Sequence, residues 1–522
     1  MNVNGRLTGR DWLTTAGFFA VTFATRVPFR THYAYLWDSV EFTLAIRHYN
    51  VVLSQPHSPG YFLYVMLARL VNGFVGDPHA SLVWISVVAG SGLTAAMYLL
   101  GAALFRRSVG VMAALVTLTS PLVWFFSCVA LTYVVDALLV SVVVLCCWYA
   151  RQRGVTWGDV LALSALMAVV GGVRQQTFPG LAILVGATLV GIRSQRGWKL
   201  AVAVVVCVAL SAAWVIPMVK MTGGWTAYRS ALQRITQFHA HKTILGGGMN
   251  SLMWNVFFAA LYSFDGLMLG ALVLFGGLIW FEFGLSAERR RAMLKQWWTA
   301  EWVMALWLLP VVALGTLVGY TEAPGHVFTY LPCLLLLVGF AADQLPSARW
   351  RVGVALVVCA GNAFIFIAWP QSWDGILWGT VHTAQRLRQH DERLVQTVDA
   401  IRAQYDPSKT VVCLMYGDLF FGLRHLQLYL PEFDQYRLTP DLAMATPRDK
   451  PLLCVRRGQL QFVSGIDWIG KKTVLLIVPP GSRLQDFNSD FDIGAAKMTR
   501  GGSGIVYELN AEFRRRKAMV PR

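Results

Sequence analysis

Charge is what this sequence has least of. Only 14% of its 522 residues are Asp, Glu, Lys or Arg, against about 25% in an ordinary soluble chain. Acidic residues are the scarcer kind, 28 against 45 basic ones, which leaves a net charge of +17. The basic residues fall in short clusters between apolar runs, so they read as orientation signals of a membrane chain and imply no nucleic-acid partner. The eight cysteines show no metal-ligand spacing, and most lie within apolar runs. Cys413 and Cys454 are the two that an oxidising compartment would join. No repeat or low-complexity tract is present, and the C-terminal 150 or so residues hold no nucleophile constellation, phosphate loop or metal set. The first apolar run lacks a convincing small-residue cleavage site, so it is expected to stay as an anchor.

Apolar runs of membrane-span length dominate what is present, with 56% of residues hydrophobic. A run of about 20 apolar residues crosses a bilayer as a helix, because an open chain there cannot otherwise satisfy its backbone. The fold class read from this is a polytopic α-helical membrane protein of about eleven spans with a small exported C-terminal α/β domain. Spans are expected near 11–29, 80–104, 109–128, 131–150, 157–173, 176–192, 199–219, 254–282, 300–320, 325–342 and 352–370. The membrane domain is therefore 1–370, with a long first loop at about 30–79, and the exported domain is 371–522.

One segment sets the phase of the topology. Residues 57–76 are nearly long enough to span, carry Arg69, and begin with Ser58-Pro59, a cap residue followed by proline. If this helix lies on the membrane surface, five basic clusters fall on the cytoplasmic side: Arg106-Arg107, Arg151/Arg153, Arg193/Arg196/Lys199, Arg289–Arg291 with Lys295, and Arg349/Arg351. If it spans, all five invert. The positive-inside tendency selects the surface helix. The inner (plasma) membrane is the expected location, multi-pass, with the first loop, the loop at about 220–253 and the tail outside. In the tail, Leu387, Leu394, Val398 and Ile401 recur at helical spacing, and 410–416 and 472–478 read as buried strands. Segments 452–457 and 504–509 are weaker strand candidates, and the whole reads as a lid or docking module.

Polar groups gather at the outer ends of the spans. Asp38 and Glu41 sit three apart in WDSVEF. That spacing has two readings, a capping box in which Asp38 caps the amides, or a carboxylate pair for acid–base chemistry. His57 in QPHSPGYFLY reads either as a structural turn residue or as a ligand contact. Arg174 and Gln175 lie in GGVRQQTFPG on the outer side, against the positive-inside tendency. A guanidinium there suits either snorkelling or bidentate binding of a phosphate headgroup. Arg229, Arg234 and Lys242 add positive charge to the 220–253 loop, and Glu322 and His326 flank the Pro324-Gly325 turn. Ionisable residues near mid-span are scarce; Asp136 and Asp265 are placed near span starts. A transporter would show more of them at the bilayer centre.

WDSVEF followed by QPHSPGYFLY resembles the first-loop motifs of the GT-C membrane glycosyltransferases, in the bacterial branch allied to protein O-mannosyltransferases. TSPLVWFFS, GGVRQ, GGWTAY, APGHVFTYLP and HLQLYLPEF are individually weaker matches that extend the resemblance across most of the chain. The resemblance implies a GT-C bundle and a polyprenyl-phosphate-linked sugar donor. It also implies transfer to a protein, lipid or glycan acceptor outside the cytoplasm. It maps the presumed base onto Asp38 and the second acid onto Glu41. His57-Ser58-Pro59 stands where the family has His-Pro-Pro, one proline short. Many relatives carry an acid at the outer start of the fourth span, where this chain has Tyr133, with Asp136 one turn deeper. His57, Tyr133, Arg174, Gln175, Arg229, Glu322 and His326 are the expected substrate-binding residues. No cofactor is expected; a divalent metal has only Asp38, Glu41 and His57 to use. Two rival readings are a lipid-linked glycan flippase and a non-catalytic envelope-assembly subunit.

Overall fold

The computed structural model describes residues 7–190, 197–284, 287–370, 381–414, 420–437, 452–463, 467, 470–471 and 473–478, and the strand segments 491–492, 496–501, 504–510 and 514–515. Arg193 and Arg196 of the third basic cluster lie outside the described residues. The chain divides into two compact units: Met1–Arg30, Pro59–Gly224 and His239–Gln385 form one, and Thr31–Ser58, Trp225–Phe238 and Arg386–Arg522 the other.

The first unit is helical and built for a membrane. Among the described residues, five helices are long and apolar enough to cross a bilayer: Pro78–Leu104, Tyr133–Arg153, Gly197–Met221, Ile244–Leu267 and Ala348–Ala368. Shorter apolar helices of 10–17 residues accompany them. Pro78–Leu104 is the centre of the bundle, with 83% of its apolar window buried. Its Gly101 meets Gly110 of the helix Arg107–Thr119 so closely that a Cβ there would lie 2.5 Å from the Gly110 Cα. Small residues at such a crossing let backbones touch. Gly197–Met221 is the opposite case, the most apolar window at mean hydropathy 2.6 yet only 17% buried. Val204, Val205 and Val208 face outward, as lipid-facing side chains do.

Where sequence reading and structure part, non-local contacts decide. The expected 109–128 span is two helices, Arg107–Thr119 and Pro121–Phe126. Pro121 lacks an N–H and disfavours α conformation at the residue before it. The intervening Ser120 hydroxyl donates to the Gly266 carbonyl at 2.6 Å. The expected 254–282 span breaks at Met268 (φ 44°) into Ile244–Leu267 and Leu269–Ile279. Asp265 is thus at a helix's C-terminal end and not near a span start. Ser58-Pro59 does not open a helix either; the helix here runs Phe62–Val75 behind Tyr61, whose φ is 46°.

Asp11, near the start of the helix Gly9–Arg26, accepts from Arg107 Nε at 2.6 Å and Nη2 at 2.8 Å. The N-terminal end of that helix and the C-terminal end of Pro78–Leu104 therefore lie together. The two helices run antiparallel. Asp343 pairs with both Arg106 and Arg351, which brings a further basic cluster to the same end.

The second unit is a small α/β domain. Its strands are β1 (Thr410–Leu414), β2 (Asp434–Arg437), β3 (Leu452–Arg456), β4 (Gln459–Val463), β5 (Thr473–Val478), β6 (Ala496–Gly501) and β7 (Gly504–Asn510). They form one sheet in the order β4-β3-β2-β1-β5-β7-β6, with β1 parallel to both neighbours. The helix Ala384–Gln404 buries Leu394, Val398 and Ile401 against Val412 and Leu414 of β1 and Leu475 and Ile477 of β5. Cys413 and Cys454 stand on either side of Tyr436, two strands apart, and both are free thiols. Two inter-strand spacings amount to about 10 Å, beyond the roughly 7 Å limit for a disulfide, so the pairing the sequence left open is not made.

Residues 31–58 of the first loop are fastened to this domain. The His32 and Tyr33 amides donate to Asp391 at 2.7 and 3.3 Å, the Ala34 amide to Tyr429 Oη at 2.8 Å, and the Arg424 guanidinium to the Leu53 carbonyl.

Candidate functional site

Within the α/β unit, the helix Trp37–Arg47 carries both first-loop carboxylates. Its N-cap is Leu36, with no side-chain cap bond, so the capping-box reading of Asp38 and Glu41 fails. Asp38 sits inside the first turn of the helix. Glu41 is buried and fully engaged. Its Oε1 accepts from the Trp37 indole N–H at 2.7 Å, and its Oε2 meets the His57 amide at 3.2 Å and the His57 ring Nδ1 at 2.7 Å. The His57 ring also packs 5.8 Å from Phe42 and lies 3.7 Å from Asp38 Oδ1. Asp38 is the open member, its side chain 37% exposed against 3% for Glu41. A carboxylate held by one neighbour and otherwise open can take a proton from a ligand; one saturated by three donors positions its neighbours instead.

One ligand atom from each of Asp38, Glu41 and His57 lies within 4.8 Å of the others, a spacing that a divalent cation could use. Both Glu41 oxygens are already committed to N–H donors, however. Binding a cation there would require breaking the His57–Glu41 bond.

In the helical unit the sequence-selected residues gather around the turn before the helix Leu331–Asp343. Arg174, at the C-terminal end of Trp157–Val173, is 4% exposed. Its Nη1 donates to the Gly325 carbonyl at 2.7 Å and lies 3.7 Å from Asp136 Oδ2, and its guanidinium covers the Tyr133 ring at 5.1 Å. A Cβ at Gly325 would stand 2.2 Å from that ring, so glycine is what lets the turn reach Arg174. Asp136 is fully buried in the first turn of Tyr133–Arg153, takes a bond from Thr177 Oγ1 at 2.8 Å, and keeps Oδ1 unpartnered. Gln175 reaches the Pro59 carbonyl at 3.4 Å. Glu322 is ion-paired with Lys242. The His326 ring meets Tyr320 edge-on at 4.8 Å, and burial, with Arg174 and His239 nearby, pushes its pKa down to about 3. His326 is therefore neutral at working pH, and the fixed positive charges here are Arg174 and Lys242.

Sequence reasoning missed one member of this group, His239, and named Lys242 only as positive charge in its loop. His239 stacks on Tyr320 at 4.0 Å with planes 14° apart, and the Lys242 Nζ lies 5.7 Å from the centre of the same ring. The only local signal was the run His239-Ala240-His241-Lys242 in an outward loop. Arg229 belongs to the other unit, on the amphipathic helix Trp225–Ala240. There it lines an open groove of about 370 Å³ with Trp225, Tyr228, Leu232 and Gln233. On the same helix Arg234 donates to the Val52 carbonyl at 3.3 Å.

The architecture matches solved structures over nearly its whole length. ArnT from Cupriavidus metallidurans bound to undecaprenyl phosphate superposes with a TM-score of 0.57, covering 96% of this chain and 98% of that one at 12% identity. The apo state of ArnT gives 0.56, 95% and 97% coverage and 13% identity. This chain has the GT-C fold. The Archaeoglobus fulgidus oligosaccharyltransferase in complex with Zn and sulfate also aligns, with a TM-score of 0.49, 12% identity, and coverage of 88% of this chain and 68% of that one. No family model and no curated protein matches at the sequence level.

Proposed function

We propose that this protein is a membrane glycosyltransferase that moves a sugar from a polyprenyl phosphate to an acceptor hydroxyl, with inversion and with Asp38 as general base. The observation that carries the reading is the unequal pair in the helix Trp37–Arg47, an open Asp38 beside a saturated Glu41. Asp38 takes the hydroxyl proton as the acceptor oxygen attacks the anomeric carbon and the C–O bond to phosphate breaks, a contribution of about 10²–10⁴ in rate. Glu41 holds His57 in place. Lys242 and Arg174 suit the charge that develops on the departing phosphate, since guanidinium and ammonium groups are its usual partners. The GT-C fold, and a neighbour of that fold bound to undecaprenyl phosphate, support a lipid-linked donor of this kind.

The direct test supplies the purified chain in nanodiscs with glycosylated undecaprenyl phosphates and follows release of the bare lipid phosphate. Transfer is expected, and because Glu41 is spent on N–H donors it should proceed equally well in EDTA. Loss of activity in EDTA, restored by a divalent cation, overturns the metal-independent mechanism. Absence of release with any donor overturns the reading itself.

The same reading requires the α/β domain and first loop to be outside the cytoplasm. The grouping of Asp11, Arg106, Arg107, Asp343 and Arg351 at one end of the helical unit supports this, since that end would be cytoplasmic by the positive-inside tendency. A reporter active only in the periplasm, fused after Arg522, is expected to give signal. A reporter that works only in the cytoplasm should give none there, and signal from it would invert the topology.

A further inference from the structure

The helical unit contains a second polar pair, away from Arg174 and untouched by the mechanism above. His382 directs Nδ1 at Asp265 Oδ2. Asp265 is 1% exposed, and its other oxygen, Oδ1, is buried without a partner among the described residues. Two aromatic rings wall the histidine, Phe125 at 4.8 Å and edge-on, and Phe126 at 5.1 Å. The His382 side chain remains 13% exposed, so the site is not sealed.

We propose that Asp265 and His382 form a hydroxyl-recognition subsite for the sugar of the lipid-linked donor. This rests on the donor being a glycosylated polyprenyl phosphate. The argument begins with what the pair lacks. A carboxylate is acceptor-only, so Asp265 Oδ1 can be met only by a donor. The site therefore offers an open acceptor, Asp265 Oδ1, beside the His382 ring. A buried acceptor left unmade costs free energy, so a ligand that brings donors is favoured. A phosphate brings further negative charge and no donors, and is disfavoured. A sugar ring brings several hydroxyl donors together with C–H faces that pack on Phe125 and Phe126. Few polar groups set in an apolar wall is the usual make-up of a small-molecule site.

Position points the same way. Tyr262 precedes Asp265 by three residues on the helix Ile244–Leu267, so the two share a face. Its hydroxyl donates to the Glu322 carbonyl at 2.8 Å, and Glu322 is the residue paired with Lys242. One tyrosine thus separates the hydroxyl subsite from the residue that holds the phosphate-seeking Lys242. A second path follows the rings, His382 to Phe126 at 5.1 Å, Phe126 to Tyr133 at 5.0 Å, and Tyr133 to the Arg174 guanidinium at 5.1 Å. A glycosyl phosphate whose phosphate is drawn to Lys242 or Arg174 has its sugar end within reach of this wall.

The test measures binding, so it is separate from turnover. Full-length protein in nanodiscs is titrated, by intrinsic tryptophan fluorescence, with bare undecaprenyl phosphate and with undecaprenyl phosphates carrying mannose, galactose, glucose or arabinose. The wild type is expected to prefer at least one glycosylated lipid to the bare one. His382→Ala and the shape-conserving Asp265→Asn should each reduce that preference by about 3- to 10-fold, the range for one lost neutral hydrogen bond. Binding of the bare lipid should stay within about twofold, which also reports that the variants are folded. Equal weakening of bare and glycosylated lipid, or an unchanged preference in both variants, overturns the subsite and makes the pair a brace for the helix end. A wild type that binds bare lipid but shows no preference overturns it as well, while leaving the transferase reading standing. A wild type that binds none of the lipids removes the transferase reading and the subsite together.

Discussion

Asp38→Asn is expected to lower sugar transfer by on the order of 10²-fold or more while leaving the protein folded and inserted. Asparagine keeps the shape of the side chain but accepts no proton at neutral pH. Asp38 makes no cap bond, so no backbone amide loses its partner, and the change gives up only the favourable charge at a helix N-terminus, about 0.3–1 kcal/mol. Asp38→Ala should be nearly as well tolerated for the same reason. That outcome separates the base from a structural residue, because a capping aspartate replaced by alanine loses about 1 kcal/mol where asparagine loses almost none. Donor binding should survive, since removing a carboxylate relieves repulsion toward a phosphate. The measurement compares release of undecaprenyl phosphate with thermal unfolding for wild type, Asp38→Asn and Asp38→Ala. Near-normal transfer by the asparagine variant removes Asp38 from the mechanism. Glu41 is a poor replacement because its oxygens already serve Trp37 and His57.

The contrast between these two acids was only half legible in the sequence. Spacing put Asp38 and Glu41 on one helix, but the donors that saturate Glu41 include His57, sixteen residues away. Local patterns carry information about local bonds, and the capping box was the local reading that tertiary contact displaced. Span positions were far more legible. Trp157–Val173 falls where its apolar run lies, because burying such a run in lipid needs no partner to be named. The breaks inside runs were not legible, as the Met268 kink shows. Asn362, from the helix Ala348–Ala368, accepts from the Leu269 amide at 3.1 Å and donates to the Leu267 carbonyl at 3.4 Å. The groups freed by the break are satisfied by a residue more than ninety positions on, and nothing near Met268 announces it. The groups around Tyr320 follow the same rule, since His239 and Lys242 meet the ring across some eighty residues. Membrane folding thus leaves helices readable one at a time and hides the sites they build together.

Arg174→Ala is expected to be the most destabilising single change among the candidate site residues, by about 3–5 kcal/mol. Arg174 is the cation beside Asp136, which is fully buried and already has one oxygen without a partner. Removing the guanidinium leaves that carboxylate uncompensated and orphans the Gly325 carbonyl as well. The partner substitution identifies the cause. Asp136→Asn combined with Arg174→Ala should recover part of the loss, because no buried charge then stands alone, and the non-additive remainder measures the coupling. Arg174→Lys asks a different question. Lysine keeps the charge, yet it lacks the planar fork that can serve two acceptors at once. If Arg174 also holds the donor phosphate, the lysine variant should raise the donor concentration needed for half-maximal transfer by at least about tenfold, as for one lost charge-assisted bond. Apparent melting temperature in nanodiscs reads the first effect, and donor titration reads the second. Full stability in Arg174→Ala would show that Asp136 does not depend on it. An unchanged donor titration in Arg174→Lys, with the alanine variant destabilised, would leave Arg174 as the anchor of the Gly325 turn and pass the phosphate to Lys242 alone.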